Sequence, residues 1–383
     1  MKEKIHNNSA SIVTPTMHKR TFNAVDLFAG CGGISEGLKD AGFKIIFANE
    51  IHPDAALTYN QNINRRQKQK TIMKVCNIKN LTDDLILNSI GNNRIHLVAA
   101  GPPCQGFSMA GKRNINDPRN FLFKHMVHFV QLLKPDFFLM ENVKGLLTLN
   151  NGKAIEAIEN EFRNIDYFLK KSVYNATNFG VPQRRERVII IGSYHEDLDL
   201  LPEEKKLTPI TVKEAISDLD FLGSGESSSK YQIKPSSEYQ KKMRANSTAL
   251  YNHEAPNHTK VIVKRFSKLE QGMRVNDLPT GEKTKKIVQF RLIENLPSPT
   301  LTTLPDDYIH YKQNRILTVR ECARIQSFPD DFIFFGKKST GGLRRRHDVP
   351  QYTQVGNAVP PLMAKGIGEH IRSLLEQIIS KGD

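Results

Sequence analysis

The stretch AVDLFAGCGGISEGLKDAGF (24–43) decides how the chain folds. A β-rich apolar run, AVDLF, meets a turn holding Gly30, Gly32 and Gly33, and the helix-like ISEGLKDAG follows. Strand, sharp turn and helix in that order are the opening unit of a nucleoside-binding α/β sheet. Glycines let the backbone reverse tightly and let a ligand come close. Glu50 closes the next apolar run, where a carboxylate can accept from ribose hydroxyls. Alone, this pattern signals only a nucleoside-containing cofactor. A nicotinamide oxidoreductase satisfies it too, and glycine-rich turns also occur with no ligand. The Gly-Cys-Gly-Gly spacing departs from Gly-x-Gly-x-x-Gly, and no other phosphate cradle is evident, which weighs against a dinucleotide.

Working outward, four more runs share the character of AVDLF: KIIFAN (44–49), HLVAAG (96–101), DFFLMEN (136–142) and RVIIIG (187–192). Nearly continuous hydrophobicity marks strands buried on both faces of a parallel sheet. Helix-like segments such as FLFKHMVHFVQLLK lie between them. The alternation predicts an α/β, doubly wound, Rossmann-like sheet over residues 21–194. Beyond Gly192 the chain turns polar, irregular and rich in Lys and Ser, with GSGESSSK at 223–230. A second, smaller, loop-rich domain is expected at 195–335, and QFRLIENLPSPTLTTLPDDYIHY (289–311) is expected to be its more ordered part. Thr318-Val-Arg-Glu321 has the spacing of a capping box and should open the helix RECARIQSF. From Pro360 onward, Ile367, Ile371, Leu374, Leu375 and Ile378 share one helical face. Residues 336–383 are therefore expected to return to the first sheet. The first 20 residues lack an apolar signal core and read as a flexible lead-in.

Composition narrows the class. With 39% hydrophobic and 25% charged residues, the chain of 383 can bury a large core and is not disordered. A formal charge of +15 favours a polyanionic partner, nucleic acid first among them. Four cysteines, none at metal-ligand spacing, make no disulfide framework and no zinc site. No metal is expected, and a reducing cytoplasm fits. No apolar run approaches the roughly 20 residues that span a bilayer, so no membrane partner is expected.

GPPCQGFSMAGKR (101–113) follows directly on HLVAAG. It places Cys104 on a Gly/Pro-rich loop at a strand's carboxyl end, where open α/β sheets bind ligands. A lone cysteine is usually a buried small hydrophobe, but Pro, Gln, Gly and Ser neighbours do not suit that role. PPCQGFS resembles the catalytic motif of the DNA (cytosine-5)-methyltransferases, and DLFAGCGG is similar to that family's cofactor motif. ENV (141–143), QRRERV (183–188), RECARIQSFPD (320–330) and QVGNAVP (354–360) match its remaining motifs in order. The resemblance covers roughly 22–192 and 315–380.

The resemblance implies a compact bacterial enzyme of the restriction-modification type. Its cofactor would be S-adenosyl-L-methionine, which has no pyrophosphate to cradle. Cys104 would be the nucleophile that adds to C6 of a flipped cytosine, activating C5. Glu141 would contact N3 and the exocyclic amine. Arg185 and Arg187 would lie near the base, Arg185 facing its carbonyl oxygen and Arg187 holding Glu141 or the loop. Read without the family, Glu141 is a strand-end cap and QRRERV a solvated charge run. The cofactor contacts carried over are Phe28, Gly30, Cys31, Gly32, Glu50, Ile51, Pro103, Leu122, Asn357 and Ala358. Asn77 stands where the family usually has an Asp facing the adenine amino group; its carbonyl can still accept.

Double-stranded DNA is the expected partner, with the middle region as the target recognition region. Gln105, Lys112, Arg113, Arg265 and Arg344 are candidate DNA contacts, and Lys241, Lys242, Arg244, Lys264, Lys285 and Lys286 candidate phosphate contacts. A solvated basic face is the plainer reading of each. A cognate restriction endonuclease is expected as a system partner without a stable complex, the protein itself being a monomer in a bacterial cytoplasm, at the nucleoid. A transfer-RNA cytosine-5 methyltransferase and a catalytically inactive DNA-binding relative are the alternatives.

Overall fold

The computed structural model describes residues 20–66, 70–103, 121–196, 198–204, 207–284, 289–340 and 348–382. The apolar runs become strands of one seven-stranded sheet: β1 Phe22–Leu27, β2 Phe43–Glu50, β3 Ile72–Val75, β4 Leu97–Ala100, β5 Phe137–Val143, β6 Phe168–Asn175 and β7 Glu186–Ser193. Their order is β3-β2-β1-β4-β5-β7-β6. The first five pair in parallel, and β7 runs antiparallel to both β5 and β6. The doubly wound α/β class holds. RVIIIG, expected as a parallel strand, is instead reversed within β7.

Side chains of β1 alternate between two cores, as strand geometry requires. Val25 and Leu27 enter a cluster closed by α3 Asp83–Ile90, α4 Phe123–Leu133 and α5 Lys153–Arg163, while Phe22 and Ala24 enter the opposite one. That second core is covered by α1 Gly33–Asp40 and by the returning C-terminal helix, whose Ile367, Ile371, Leu374 and Leu375 are all buried. The helix α2 Pro53–Asn62 faces a third core.

The middle region is loop-rich. It holds α6 Val212–Ile216, α7 Glu238–Arg244, α8 Lys260–Phe266 and a parallel pair, β8 Phe290–Arg291 and β9 Tyr308–Ile309. The helices α9 Val319–Ile325, α10 Gln351–Asn357 and α11 Pro361–Gly382 follow. The third core joins Ala29, Cys31, Tyr59 and Ile63 to Val212, Leu317, Phe328 and Val355. The loop-rich region thus shares apolar packing with the sheet's glycine turn.

The capping box at Thr318 forms as its spacing predicts. Thr318 Oγ1 accepts from the Glu321 N–H at 3.1 Å, and Glu321 Oε2 accepts from the Thr318 N–H at 2.7 Å. The Glu321 carboxylate also receives a two-pronged bond from Arg315, 2.8 Å on each side, and all of it is buried. Burial opposes that charge, but Arg315 overcomes it and holds the Glu321 carboxyl at about 2. Beside it, His310 Nδ1 accepts from the N–H groups of Lys312 and Gln313, at 3.0 and 3.1 Å. Burial pushes the His310 imidazole down to about 3 and His253 down to about 4.

These neutral imidazoles set a pH dependence. Between the ordinary value of 6.5 and the depressed values, the unfolded chain binds protons that the folded one refuses. Their contribution is complete above about pH 6.5 and is lost as pH falls through that window. Glu321 adds a further loss below 4.5, its ordinary value. The thermal midpoint should descend between about pH 7 and pH 4, and His310→Gln should flatten the descent. An identical slope in that variant would count against this account.

Candidate active site

Phe28 leaves β1 with φ of 55°, a left-handed conformation that is uncommon for an aromatic residue. Gly30 follows with φ of 56°, and a Cβ there would meet nothing within 4 Å, so the turn opens onto free space. A Cβ at Gly33 would lie 2.3 Å from the Val359 carbonyl oxygen. That glycine is needed for the returning segment, which runs directly over the start of α1.

The Glu50 carboxylate is fixed beside the opening. Its Oε2 accepts from the Gly30 N–H at 2.8 Å, and its Oε1 from Ile51 and His52 N–H groups at 2.9 and 2.8 Å. Oε2 therefore keeps a lone pair that a hydroxyl could use. Ile51, next in sequence, is 51% exposed and offers an apolar face at the same rim. Asn77 is exposed, and its Oδ1 caps the following turn by accepting from Lys79 N–H at 3.1 Å. Pro103 and Asn357 are exposed, and Leu122 and Ala358 half-buried. Cys31 differs: its thiol points inward to the Gln354 carbonyl at 3.6 Å, and burial pushes it up. Only the backbone of Cys31 is available to a ligand at this turn.

The second group of residues gathers at the carboxyl end of β4. A Cβ at Gly101 would sit 3.4 Å from Glu141 Oε2 and 4.0 Å from Ile34 of α1, so carboxylate and glycine turn flank the same backbone. Glu141 Oε1 pairs with Arg187 Nε at 2.9 Å, each side chain 13% exposed. The pair is diagonal across β5 and β7, where Arg187 stands opposite Val143. Asn142, which sequence reasoning passed over, is buried and donates from Nδ2 to the Pro102 carbonyl at 3.3 Å, while its Oδ1 accepts from Val143 N–H at 2.8 Å. It pins the backbone two residues before Cys104. An amide inside an otherwise apolar strand was the signal available.

Cys104, Gln105, Lys112, Arg113 and Arg344 lie outside the described residues, as do Lys285 and Lys286. Cys322, like Cys31, is buried, and burial pushes its thiol up. Such thiols are poor nucleophiles, since only the thiolate attacks.

Arg185 is not where sequence reasoning put it. It is 2% exposed, and its guanidinium donates to the carbonyls of Leu301, Gly356 and Ala358. It is spent on backbone below the site, so the arginine that meets Glu141 is Arg187. The reason lies in the segment before β7, where Arg184 N–H bonds Ser298 O at 2.7 Å and Ser298 N–H bonds Pro182 O at 3.0 Å. That extra pairing draws residues 298–302 alongside and seals Arg185 beneath them.

Among the basic residues of the middle region, Arg244 is also committed inward, to Asp218 at 3.1 Å and across the ring of Tyr231. Lys241 pairs with Glu238 on its own helix. Lys264 is exposed on α8, and Arg265 beside it is half-buried. Among the described residues no group of three or more His, Cys, Asp or Glu side chains is placed to hold a metal. None of the described helices is long and apolar enough to cross a membrane.

Comparison with known proteins agrees with this geometry. Residues 22–373 match the model of the C-5 cytosine-specific DNA methylases. The chain is 38% identical over 355 residues to the Type II methyltransferase M1.HphI of Haemophilus parahaemolyticus, covering 91% of this chain and 86% of that one. It is 36% identical over 386 residues to the Type II methyltransferase M.DdeI of Desulfomicrobium norvegicum, covering 93% and 90%. A crystal structure of a putative DNA modification methyltransferase encoded within an E. coli prophage superposes with a TM-score of 0.75 at 26% identity, over 93% of this chain and 99% of that one. The chain belongs to the C-5 cytosine-specific DNA methylase family.

Proposed function

We propose that the protein is a sequence-specific Type II DNA methyltransferase that modifies C5 of an extruded cytosine through a transient bond between Cys104 Sγ and C6. The observation that carries the reading is the convergence on Gly101–Pro103. Ile34, which follows the open glycine turn, and the Arg187-paired Glu141 carboxylate both lie within 4.0 Å of where a Cβ on Gly101 would sit. One loop, with Cys104 next in line, thus serves a nucleoside cleft and a polar base pocket together.

The cleft fits S-adenosylmethionine. Gly30 leaves room for close approach, Glu50 Oε2 has a free lone pair for a ribose hydroxyl, and Ile51 presents an apolar face for the adenine. Asn357 and Ala358 close the rim from the returning segment. The backbone of Cys31 and Gly32, with Phe28, Asn77, Pro103 and Leu122, completes the set. When bound, S-adenosylmethionine supplies an electrophilic methyl group.

The protein's own residues prepare the base. A thiolate at Cys104 adds to C6, and the C5–C6 electron pair shifts to C5, which becomes nucleophilic. Glu141 accepts from the exocyclic amine and, carrying a proton when the base is bound, donates it toward N3 as charge develops on the ring. Arg187 fixes the Glu141 carboxylate and stands nearest to the base carbonyl. After methylation, a water molecule takes the C5 proton, the freed electron pair re-forms the C5–C6 double bond, and Cys104 leaves C6 as the thiolate. Extrusion is required because C5 and C6 are out of reach in a stacked duplex. Residues 195–335 act as the target recognition region, with Lys264 and Arg265 among its phosphate contacts. Gln105, Lys112, Arg113 and Arg344 complete the DNA interface. A restriction endonuclease of the same specificity is the expected system partner.

Cys104→Ser should lower methyl transfer on the order of 10³-fold or more while leaving duplex binding measurable. Duplex DNA with 5-fluorocytosine at the target should trap the wild type as a covalent adduct at Cys104, visible by intact-mass spectrometry. Turnover unchanged in that variant would remove the mechanism, and transfer to transfer RNA in preference to duplex DNA would move the protein to a different substrate. Glu141→Gln should reduce turnover by about 10²–10⁴-fold with duplex affinity retained. Duplex affinity of the wild type should fall steeply with salt, log K declining linearly with log salt as several phosphates are neutralised. A flat response would contradict the basic surface as its source.

A further inference from the structure

We infer that Arg185 is a positioning residue of the methyl-donor pocket: one guanidinium holds the two carbonyls that flank Asn357 and, on its other nitrogen, the Leu301 carbonyl of the middle region. The inference rests on the donor reading given above.

Distances define the device. Arg185 Nη2 donates to Gly356 O at 3.0 Å and to Ala358 O at 3.2 Å, and Nη1 donates to Leu301 O at 3.2 Å. A second side chain works alongside it. Gln326 Nε2 donates to Val355 O at 3.1 Å and to Ala358 O at 2.5 Å, and Gln326 Oε1 accepts from Gln183 Nε2. Gln183 then accepts from Leu301 N–H at 2.9 Å. With the Cys31 thiol on Gln354 O, the carbonyls of residues 354, 355, 356 and 358 are all engaged from inside the protein. The residue between them, Asn357, is exposed at the rim. Side chains buried below the last turn of α10, bonding its end carbonyls in sequence, fix its height and tilt.

The end of α10 has no slack against the middle region either. A Cβ at Gly356 would lie 2.1 Å from the Thr302 carbonyl oxygen. The same segment, Leu301 and Thr302, therefore touches the end of α10 by shape and is joined to it through Arg185.

The chemistry of the guanidinium explains the choice of residue. Among the described residues no carboxylate bonds it; burial and the nearby Arg187 disfavour its charge, and Glu141 offsets them in part. A buried charge held only by carbonyl dipoles is costly, so it serves where several acceptors in fixed directions must be met at once. Two nitrogens held apart in one plane meet carbonyls from two segments at once; a lysine ammonium also has three donors, but all on one nitrogen, so it cannot reach both segments in these directions. Arg185→Lys should leave at least one buried carbonyl unpaired and let the end of α10, with Asn357, relax, without touching Glu141 or Arg187.

The test separates donor binding from base chemistry. The wild type, Arg185→Lys and Gly356→Ala are titrated with S-adenosylhomocysteine without DNA, and the KM for S-adenosylmethionine and kcat are measured on duplex DNA. Arg185→Lys should weaken S-adenosylhomocysteine binding and raise that KM about tenfold, with kcat at saturating donor within about threefold of wild type. Gly356→Ala changes no charge and should give the same split, which keeps the question decidable should Arg185→Lys fail to fold. Normal donor affinity with kcat reduced about a hundredfold in Arg185→Lys would place the residue on the base and overturn the inference. Normal donor affinity in a folded Gly356→Ala would overturn it as well. Failure of the wild type to bind S-adenosylhomocysteine would instead sink the donor reading itself.

Discussion

The close approach of the Val359 carbonyl to Gly33 is the constraint on which the rest depends. It lets the last part of the chain lie on the first turn of the first helix. Asn357 thereby reaches the rim of a pocket begun by Gly30 and Glu50 more than three hundred residues earlier. A side chain at residue 33 would lift the returning segment away, and with it α11, which covers one face of the sheet. The site is built from both ends of the sequence because a backbone without a Cβ permits the crossing.

Strand direction matters as much. In a parallel sheet, a residue that begins a strand lies at the amino edge, away from the ligand-binding edge. β7 is reversed, so its opening residues come to the carboxyl edge of β4 and β5. Arg187, second residue of β7, can then meet Glu141 near the end of β5. The same reversal brings Gln183 and Arg185 beneath the end of α10. One antiparallel strand thus supplies a group that faces the base pocket and groups that support the donor side.

Much of this was legible in the sequence because its signals are local. Continuous apolar runs gave β1, β2, β4, β5 and β7, since strands covered on both faces need no polar side. The Thr318–Glu321 spacing and the apolar stripe of α11 are likewise properties of a few neighbouring residues. β6 was not legible as a strand: FLKKSVYN is a sheet edge whose lysines face water. The reversal of β7 depends on its connection to β6. Residues 176–185 are too few for the dozen or more that a parallel crossover needs, and weighing that length would have predicted the turn-back. Arg185 and Arg187, two apart in one motif, could not be told apart by pattern. Their separation comes from Ser298 pairing beside Pro182 and Arg184, a contact between segments more than a hundred residues apart. Asn142 was hidden in the same way, its partner being a carbonyl on another strand's exit.

The position of α11 also has a consequence for biogenesis. During synthesis the central strands emerge early, yet Phe22, Ala24, Leu97, Ala99, Phe137 and Leu139 share one core with Met363, Ile367 and Ile371. The ribosome must therefore deliver the chain through α11 before that side of the sheet can be roofed. Until then the nascent chain carries a bare apolar surface, the kind that invites chaperone holding or aggregation. A product ending at Pro360 would carry every motif through QVGNAVP and still leave one face of its sheet bare.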